Sequence, residues 1–530
     1  MQPPSAILSV SDKSGLIPFA KNLKELGYRL LSTGGTLKIL KEGGVEATEL
    51  SHYTGSEELF GGRVKSLHPR VHGSLLFRRE KPEEVRLAKQ EGLADISLVC
   101  VNLYPFQEAV DRGADFDSIL ENIDIGGPSM LRAGAKNFRS ITVVSDPRDY
   151  EWVIEILKSK DEEALASLRQ RLMLKAFSHT AHYDCLIANY LSLRFEGGLG
   201  EKKFIVGSRV FQTSYGENPH QKGALYETND YYSRHLRTIK GRLSFNNIGD
   251  INAALRIVSA FASQPCACII KHGNPCGFSR AHSLLEAYRG AMVCDSLSAY
   301  GGVVALNGIL DENLAREILK SFVEVVVCAG VEDAGLALLE SKKRLKIVAL
   351  GLEGADPSHS SLSSPGLGGL PFYIDAWNFR HVEGGFVYQQ SDILESNEVE
   401  EAALVSLKAA SKDEKLDLEV AYKLAALTKS NCITFVKGGV LLAIGMGLTS
   451  RVDAMRVALN KAKEGGLSLE GAVMASEAFF PFRDSLELAG PCGISAVIAP
   501  GGSIRDSEVI DEANRQGLAL YFSKKRHFLH

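Results

Sequence analysis

The stretch AILSVSDKSG, residues 6–15, joins a short apolar run to a polar loop that ends in glycine. Apolar residues then recur at helical spacing between Leu16 and Leu26. This pattern predicts a buried strand followed by an amphipathic helix, with Ser and Asp of the loop available to cap it. Pro18 fits the helix only because it falls near the first turn. The stretch therefore predicts a strand–loop–helix unit.

Three further apolar runs near the start of the chain follow the same plan. They occupy residues 28–31, 96–101 and 140–144, and a polar loop follows each of them. A long helical pattern then covers residues 161–193. Strands that alternate with helices predict an α/β fold with a parallel sheet, in which ligands bind at the carboxyl ends of the strands.

A linker divides the 530-residue chain into two predicted domains. Residues 196–203, EGGLGEKK, are rich in glycine and charge and have no periodicity, which is typical of a segment between structural units. We therefore predict one domain at residues 1–197 and a second at residues 204–530.

The second domain has signs of an internal division. Residues 354–370 are rich in Ser, Gly and Pro, which predicts a surface loop between sub-domains at about 204–353 and 371–530. PCGFS at residues 275–279 is similar to PCGIS at residues 491–495. Two such short matches can arise by chance, but they favour a duplicated α/β unit.

The composition excludes several classes of protein. The 60 Lys and Arg are balanced by 64 Asp and Glu, so the chain lacks the basic surplus of a general nucleic-acid binder. No apolar run approaches the ~20 residues of a membrane span, and the N-terminal sequence lacks the basic start of a signal peptide. Nine scattered cysteines fit free thiols in a reducing compartment. We therefore expect a cytoplasmic protein that binds neither membranes nor nucleic acid.

The 50 glycines exceed the usual share of about 7%, and two of the loops that contain them are candidate phosphate sites. STGGT at residues 32–36 offers backbone amides and hydroxyls to an anion, although alone it fits a tight turn with a capping threonine slightly better. GGRVKSLHP at residues 61–69 adds two cations, a hydroxyl and an imidazole, although a solvated charged loop has the same composition. Together the two loops favour a phosphorylated ligand.

A third loop, ENIDIGGP at residues 121–128, precedes a helical stretch that reaches Lys136. Asp124 and Lys136 lie about three helical turns apart, so they are not neighbours on one helix face. Each could contribute separately to a pocket, and Lys136 by itself is typical of a surface cation.

The stretch KHGNPCG, residues 271–277, ends an apolar strand with adjacent Lys271 and His272. Histidine can move a proton near neutral pH, and lysine can stabilise a developing oxyanion. We interpret this pair as the centre of a second site.

A metal site is the competing interpretation, because four candidate ligands lie close together in the sequence: Cys266, Cys268, His272 and Cys276. The spacing lacks the Cys-x-x-Cys of structural zinc, and Cys-x-Cys on a strand favours free core thiols. His381–Glu383 and the two Pro-Cys pairs resemble a zinc-deaminase signature, but Ser279 and Ser495 stand where the second cysteine ligand must be. We predict no metal and leave the deaminase fold open.

The chain resembles the bifunctional purine-biosynthesis enzymes AICAR transformylase/IMP cyclohydrolase over essentially its full length. Eleven motifs match in order: SVSDKSGL, STGGT, GGRVKSLHPRVHG, NLYPF, ENIDIGGPSMLRAGAKN, YGENPHQ, LSFNNIGD, KHGNPCG, AFFPFRD, PGGSIRD and RHFLH. The resemblance implies a methylglyoxal-synthase-like parallel-sheet α/β domain, then a domain of two cytidine-deaminase-like α/β units without zinc. It also implies two reactions. The second domain would transfer a formyl group from 10-formyltetrahydrofolate to AICAR, and the first would close the product FAICAR to IMP with loss of water.

By position, the resemblance implies a cyclohydrolase pocket in the first domain. Lys65, Tyr104 and Asp124 would take part in the chemistry, and Lys136 would be the proton-transfer group. Ring closure needs both reacting ends held together, which is largely a proximity effect. The implied substrate-binding positions are Ser11, Asp12, Lys13, Thr33, Gly34, Gly35, Thr36, Arg63, Val64, Ser66, Val101, Asn102, Ile125 and Gly126.

In the transformylase, His272 would be the general base, Lys271 the transition-state stabiliser and Asn431 the residue that orients the substrate. The implied AICAR-binding positions are Ser214, Tyr215, Gly301, Glu324, Arg451, Phe479 and Arg526. The implied folate-side positions are Val452, Asp484, Ser503 and Ile504. The family further implies a homodimer whose transformylase sites use both subunits, with 10-formyltetrahydrofolate as co-substrate and no tightly bound cofactor.

Three departures from the family pattern bear on AICAR affinity. Ser214 stands where the family usually has an arginine, so a phosphate-binding cation is missing. Leu448-Thr449 replaces a frequent Gln-Gln, and Cys328-Ala329 replaces a common Ala-Pro. A cyclohydrolase with a decayed transformylase half and a non-catalytic purine-nucleotide sensor are therefore the alternatives to the two-reaction enzyme.

Overall fold

The computed structural model describes residues 3–261, 263–351 and 374–530. The predicted surface loop at residues 354–370 lies outside these ranges.

Two compact units make up the chain, Met1–Val206 and Gly207–His530. We call them the N-unit and the C-unit and describe each by itself. The boundaries of the two functional domains, at 1–197 and 204–530, stay predictions.

The N-unit is built from alternating strands and helices. Its strands are β1 (Ser5–Ser9), β2 (Arg29–Ser32), β3 (Thr48–Glu49), β4 (Ile96–Val101) and β5 (Thr142–Val144). Its helices are α1 (Leu16–Glu25), α2 (Gly34–Glu42), α3 (Leu50–Thr54), α4 (Pro69–Leu76), α5 (Pro82–Gln90), α6 (Phe106–Asp111), α7 (Phe116–Glu121), α8 (Gly126–Lys136), α9 (Tyr150–Ser159) and α10 (Glu162–Glu196). The four predicted strands and the long helix are confirmed within a few residues.

The five strands form one parallel sheet in the order β3-β2-β1-β4-β5. Successive side chains of β1 point to opposite faces. Ile7 packs in a core with residues of α8 and α10, and Leu8 packs in a core with residues of α1 and α9. Because the strands are parallel, the loops that follow them all lie at one edge of the sheet. The predicted parallel-sheet α/β fold of this unit is confirmed.

The C-unit has eighteen strands and nine helices among its described residues. The strands are β6 (Ser208–Gln212), β7 (Ala224–Glu227), β8 (Leu236–Lys240), β9 (Cys266–Lys271), β10 (Asn274–Arg280), β11 (Val303–Leu306), β12 (Ile309–Leu310), β13 (Val325–Cys328), β14 (Gly330–Val331), β15 (Lys346–Leu350), β16 (Trp377–Val382), β17 (Gly385–Gln390), β18 (Ala403–Leu404), β19 (Ile433–Lys437), β20 (Val440–Gly445), β21 (Val473–Ser476), β22 (Ala496–Ala499) and β23 (Ala519–Phe522). The helices are α11 (Tyr231–His235), α12 (Phe245–Ser259), α13 (Leu284–Ala291), α14 (Glu312–Ile318), α15 (Asp333–Glu340), α16 (Lys412–Ala426), α17 (Arg451–Glu464), α18 (Asp484–Ala489) and α19 (Asp506–Gln516).

Twelve of these strands form one mixed sheet in the order β18-β23-β22-β21-β19-β20-β10-β9-β11-β13-β15-β8. Each half of the sheet has the same plan: a long helix, a hairpin, a second helix, three parallel strands and an antiparallel edge strand. The long helices α12 and α16 contribute to one shared core. The halves meet where β10 pairs with β20, at Ser279 and Val440. The predicted duplication of an α/β unit is confirmed.

The short motif used to predict the duplication does not mark equivalent positions, so that part of the interpretation is wrong. Residues 275–277 lie inside strand β10, whereas residues 491–492 lie in the 3-10 helix Gly490–Cys492. In the element order, hairpin β9–β10 corresponds to hairpin β19–β20. The match of the two Pro-Cys-Gly sequences is therefore fortuitous.

Candidate functional sites

A cavity of about 620 Å³ lies at the carboxyl ends of the N-unit strands. We call it the N-unit cavity. Thirteen residues predicted for the cyclohydrolase pocket line it: Ser11, Lys13, Thr33, Gly35, Thr36, Arg63, Lys65, Ser66, Asn102, Tyr104, Asp124, Ile125 and Gly126. The structure thus brings together loops that lie more than 100 residues apart in the sequence.

Side-chain hydrogen bonds fix the loops around this cavity. The Asn102 side chain accepts from the amides of Ser11 and Asp12 and donates to the Asp12 carbonyl, 3.0 Å away. The Thr36 hydroxyl contacts both the amide and the carbonyl of Val10, at 3.1 and 3.0 Å. The loops after β1, β2 and β4 are therefore held as one surface.

The N-terminus of α2 provides an anion site in this cavity. Thr33 precedes the helix in extended conformation and its side chain makes no capping hydrogen bond, so the first amides of the helix are left for another acceptor. A Cβ built on Gly34 would lie 3.6 Å from Lys65 Nζ. A phosphate at this place would meet helix amides and an ammonium group together.

Asp124 occupies the opposite wall, just before α8. Its carboxylate accepts from the Gly127 amide at 2.8 Å, and its own amide donates to the Tyr183 hydroxyl of α10, also at 2.8 Å. Burial raises the pKa of Asp124 above its ordinary value, and the Gly127 amide and Lys65 partly offset this effect. A raised pKa suits a carboxylate that takes up and returns a proton.

Lys13 and Asp12 follow β1 and face different surroundings. Lys13 Nζ donates to the carbonyls of Val10 and Ser11, at 2.6 and 3.1 Å, and burial lowers the pKa of Lys13. Hydrogen bonds from Ser14 lower the pKa of Asp12. Asp12 lines a second cavity of about 650 Å³, beside Asp146, Lys175, His179 and His182.

Five predicted N-unit positions are not among the residues that line the N-unit cavity, and one of them, Asp12, lines the second cavity instead. Gly34 lies next to Lys65, Val64 pairs with Leu59 through its backbone, and Val101 is buried at the end of β4. Lys136 is exposed at the last position of α8, ~15 Å along the helix from its start. Its role as proton-transfer group stays a prediction.

Two further residues shape the N-unit cavity and were missed from the sequence. Glu121 pairs with Arg63 at the rim, and the Tyr183 hydroxyl fixes the Asp124 backbone from a helix about 60 residues away. Glu121 begins the motif ENIDIGGP at residues 121–128, but a glutamate at this position suggests no role by itself. Tyr183 lies within a long helical pattern, where no local signal distinguishes it.

In the C-unit, the turn between β9 and β10 carries Lys271 and His272. Lys271 Nζ donates to the carbonyls of Tyr300 and Gly301, at 3.1 and 2.8 Å. His272 is exposed and adopts a φ of 53°, in the left-handed region that is rare for residues other than glycine. Strained backbone of this kind is typical of functional positions.

Helix α12 organises the surroundings of this turn. Its third residue, Asn247, donates to the Glu324 carboxylate at 3.0 Å, and its sixth residue, Asp250, accepts from the Gly273 amide at 2.6 Å. Burial raises the pKa of Asp250, whereas the Gly273 amide and the neighbouring His272 partly offset it. Asp250 was missed, because it lay in a quoted motif without a predicted role.

The remaining predicted positions of this half lie around the same helix. Ser214 donates its amide to the Leu243 carbonyl at 2.9 Å, and Tyr215 accepts from the Phe245 amide at the start of α12. Although burial by itself raises the pKa of Glu324, hydrogen bonds from Asn247 and Lys346 lower it overall. These hydrogen bonds favour the ionised form of Glu324.

Gly301 reaches Lys271 because it has no side chain. Its φ is 68°, and a Cβ built on it would lie 3.2 Å from Lys271 Nζ and 3.1 Å from Phe322 Cε1. A larger residue would therefore crowd the ammonium group.

The second half of the C-unit holds Asn431 and Arg451 in one network. The Asn431 side chain donates to the Leu448 carbonyl at 2.8 Å. Arg451 is buried and donates to Ser476 Oγ, to the Phe479 carbonyl and to the Glu477 carboxylate, at 2.8, 2.9 and 2.8 Å. The Glu477 carboxylate also accepts from the amide of Cys432, next to Asn431, at 3.1 Å. The predicted contact of Arg451 with AICAR stays a prediction.

The predicted folate-side residues occupy helix starts and one loop. Val452 is the second residue of α17, and Asp484 is the first residue of α18. Ser503 donates its amide to Asp506 at 3.1 Å, and Ile504 beside it is fully exposed. Arg526 is exposed in the C-terminal tail, with its guanidinium 4.4 Å from the centre of the Phe528 ring.

Comparisons with known proteins match the chain to two family models and to curated relatives. The family model for the MGS-like domain matches residues 15–129, and the family model for the AICARFT/IMPCHase bienzyme matches residues 134–461. The bifunctional purine biosynthesis protein PurH of Persephonella marina is 42% identical over 99% of both chains. Its counterpart in Aquifex aeolicus is 41% identical over 99% of this chain and 100% of its own. The chain belongs to the AICARFT/IMPCHase bienzyme family.

As a member of this family, the chain is a bifunctional enzyme of purine biosynthesis with AICAR formyltransferase and IMP cyclohydrolase activities. The predicted fold class and function are confirmed. Among solved structures, the crystal structure of ForH is 35% identical over 36% of this chain and 98% of its own, with a TM-score of 0.31. None of the helices in the described ranges is both long and apolar enough to cross a lipid bilayer.

The cysteines of this AICARFT/IMPCHase member are free thiols. Cys266, Cys268 and Cys276 are buried, as predicted for core residues, and burial raises the pKa of Cys276 to about 12. In the part of the chain that the structure describes, no three His, Cys, Asp or Glu side chains are arranged to hold a metal ion. His381 and Glu383 lie on the exposed hairpin β16–β17.

Proposed function

We propose that the N-unit closes FAICAR to IMP and that the C-unit transfers the formyl group of 10-formyltetrahydrofolate to AICAR. The observation that carries the first assignment is the N-unit cavity, which collects thirteen predicted pocket residues. The second assignment rests on helix α12, which contacts Glu324 and the turn of His272.

In the cyclohydrolase reaction, the cavity holds both ends of FAICAR. The amides at the start of α2 and Lys65 bind the phosphate, and Tyr104, Asp124 and Asn102 surround the ring. The carboxamide nitrogen attacks the formyl carbon. The carboxamide and formamide nitrogens each give up one proton, and the formyl oxygen leaves with both as water. Asp124, with its raised pKa, is suited to carry one of these protons.

Lys136 has no place in this scheme within one N-unit, because it is exposed at the far end of α8. Its assignment as the proton-transfer group stays a proposal that rests on the family resemblance. The homodimer, which is also implied by the resemblance, would allow residues of a second chain to reach a site.

In the transferase reaction, His272 accepts a proton from the weakly nucleophilic amine of AICAR as that amine attacks the formyl carbon. Lys271 stabilises the oxyanion that forms there. The bond from the formyl carbon to the folate nitrogen then breaks, and that nitrogen takes up a proton. Asn431 orients AICAR, and Val452, Asp484, Ser503 and Ile504 contact the folate.

The AICAR phosphate needs a cation other than residue 214, which is serine in this chain. Arg451 is committed to Ser476, Glu477 and the Phe479 carbonyl. Arg526 is exposed, so we propose that it is the main phosphate cation of the transferase site.

A folate co-substrate follows from the transferase activity, and we propose that it is 10-formyltetrahydrofolate rather than a tightly bound cofactor. AICAR, FAICAR and IMP are the other small-molecule partners. Cytoplasmic localisation, homodimer formation and the absence of nucleic-acid binding stay predictions of composition and resemblance.

The test of this division is a pair of assays on purified chain. AICAR with 10-formyltetrahydrofolate should yield IMP, and added FAICAR should yield IMP without folate. Lys65→Ala should accumulate FAICAR, because the transferase still works and ring closure fails. His272→Ala should leave AICAR unchanged and still close added FAICAR.

Lys21→Ala, which changes an exposed lysine of α1, is the control and should leave both rates unchanged. A Lys65→Ala enzyme that closes FAICAR at the normal rate would contradict the assignment of the N-unit. Wild-type enzyme that closes FAICAR but never consumes AICAR would show that the C-unit has lost its reaction.

A further inference from the structure

The tail that follows β23 carries a buried histidine with two acidic partners. His527 Nδ1 lies 2.8 Å from Asp392 Oδ2, and His527 Nε2 lies 2.7 Å from Glu398 Oε2. The side chains of His527 and Glu398 are each only 3% exposed. None of the sequence motifs assigned a role to any of these three residues.

Both ring nitrogens of His527 face carboxylates. A neutral imidazole has a single N–H and can donate to only one of them, whereas an imidazolium ion donates to both. Burial by itself lowers the pKa of His527, but hydrogen bonds to Asp392 and Glu398 raise it overall. The two contacts favour the imidazolium form, in which the ring joins the tail to the segment before α16.

Other charged and titratable groups on neighbouring elements face the two carboxylates, Asp392 and Glu398, that contact His527. Tyr422 of α16 donates to Glu398 Oε2 at 3.2 Å, and Lys525 Nζ lies 3.9 Å from Glu398 Oε1 and 2.6 Å from Glu395. Arg256 of α12 interacts electrostatically with Asp392. Lys525 and Arg256 lie on the carboxylate side, so a neutral His527 would leave one of the two carboxylates, Asp392 or Glu398, without its closest donor.

The tail residues around His527 touch the candidate transferase site. The His527 amide donates to the Glu477 carbonyl at 3.1 Å, and the Ser430 amide, next to Asn431, donates to the Leu529 carbonyl at 2.8 Å. Arg526 immediately precedes His527 in the chain. A shift of the tail would therefore move Arg526 and remove a hydrogen bond beside Asn431.

We propose that His527 is a positioning residue of the transferase site: its imidazolium, held between Asp392 and Glu398, fixes the tail so that Arg526 binds the AICAR phosphate. This inference rests on the proposed function of the C-unit. Neither Asp392 nor Glu398 touches the substrate. Their effect reaches AICAR through the backbone that they hold.

The pH dependence follows from the sign of the shift. Because the pKa of His527 is raised in the folded chain, the two hydrogen bonds are complete below its ordinary value near ~6.5. They are lost as the pH rises through the raised value. The KM for AICAR should therefore rise on the alkaline side, while the rate at saturating AICAR changes little.

The experiment compares KM and kcat across pH for full-length wild type, His527→Gln and Asp392→Asn. His527→Gln should raise the KM for AICAR about tenfold at pH 7 and leave kcat within about twofold, which corresponds to a loss of about 1.4 kcal/mol in binding. Asp392→Asn removes one of the carboxylates that raise the pKa, so the alkaline rise in KM should move to lower pH. His381→Gln, on an exposed hairpin strand, should match wild type.

Several outcomes would overturn the inference. A wild-type KM that is flat with pH, an unshifted profile in Asp392→Asn, or a His527→Gln enzyme with unchanged KM would each do so. Asp392→Asn keeps the test valid if His527→Gln does not fold, because Asp392 is half exposed. The Arg526→Ala variant separates a failure of the proposed phosphate site from a failure of the proposed role of His527. If it leaves the KM for AICAR unchanged, the proposed phosphate site itself is wrong. If it raises KM while the His527 and Asp392 variants do not change it, only the role of His527 fails.

Discussion

The two hairpin turns at the centre of the C-unit have the same backbone and different chemistry. Residues 271–274 read Lys-His-Gly-Asn, and residues 437–440 read Lys-Gly-Gly-Val. The central residues have φ values of 53° and 74° in the first turn and 59° and 76° in the second. Two positive values in succession define the tight hairpin turn that favours Asn and Gly. The first turn therefore carries histidine where its counterpart carries the residue that the geometry prefers.

Both turns are held by an aspartate at the sixth position of the long helix in their half. Asp250 of α12 accepts from the Gly273 amide at 2.6 Å. Asp417 of α16 accepts from the amides of Gly438 and Gly439, both at 2.7 Å. The scaffold that holds the turn is thus common to both halves, and only one half uses it to present a titratable side chain.

The difference shows that the first hairpin accepts a strained backbone in order to present a functional side chain. A residue other than glycine in the left-handed region costs about 1–3 kcal/mol, and the β9–β10 hairpin bears this cost while the β19–β20 hairpin does not. The exposed imidazole of His272 is what the first half gains in return. Three substitutions test this account.

The largest effect is expected from His272→Gly, which gives the first turn the Gly-Gly sequence of the second. The transferase rate should fall about 10²- to 10⁴-fold, because the general base is lost. The free energy of unfolding should rise by about 1 kcal/mol, because the strained residue is removed. Enzyme assays and urea unfolding check the two effects, and FAICAR closure is the internal control. A loss of activity accompanied by lower stability would contradict the comparison.

A smaller effect is expected from Asp250→Ala, compared with Asp417→Ala. Each change leaves at least one amide in a buried or partly buried position without its acceptor and should lower the free energy of unfolding by about 1–3 kcal/mol. Only Asp250→Ala should also reduce kcat of the transferase, about tenfold, because it frees the turn that carries His272. Equal kcat values in the two variants, measured below their unfolding temperatures, would show that Asp250 acts through stability alone.

The smallest effect is expected from Gly438→Ala. A Cβ on Gly438 would meet no atom within 4 Å, so the φ of 59° is the only source of strain. We expect a loss of about 1 kcal/mol in the free energy of unfolding and no change in either activity. Gly330→Ala, at another open position without a positive φ, is the control and should be close to neutral. No loss in Gly438→Ala would mean that the turn geometry carries no cost.

Much of the N-unit could be predicted from its sequence, because apolar runs and polar loops alternate there with clear periods. Parallel strands then place the loops at one edge, so the motifs at residues 32–36, 61–69 and 121–128 come together in one cavity. Lys136 is the exception. Sequence spacing shows that it is distant from Asp124 along α8, but not on which side of the unit it lies.

The C-unit was less accessible from sequence, because its sites depend on contacts between distant residues. The resemblance implies that Arg451 binds AICAR, yet Ser476 and Glu477, at the end of strand β21, bind its guanidinium. Asp250 and His527 lie in quoted motifs without a predicted role, and their partners lie 23 or more residues away. Partners of this kind are set by tertiary packing, which local periodicity does not encode.

The edge strands of the twelve-stranded sheet predict the order in which the strands of the C-unit come together. Leu236–Lys240 pairs with Lys346–Leu350, and Ala403–Leu404 pairs with Ala519–Phe522, so each edge joins segments more than 100 residues apart. The central hairpins join segments that are nearly adjacent. Closing a long loop costs chain entropy before any contact repays it. The order of assembly in each half should therefore run from the hairpin outward, and the ends of the sheet should be the first regions to open when the chain is mechanically or thermally stressed.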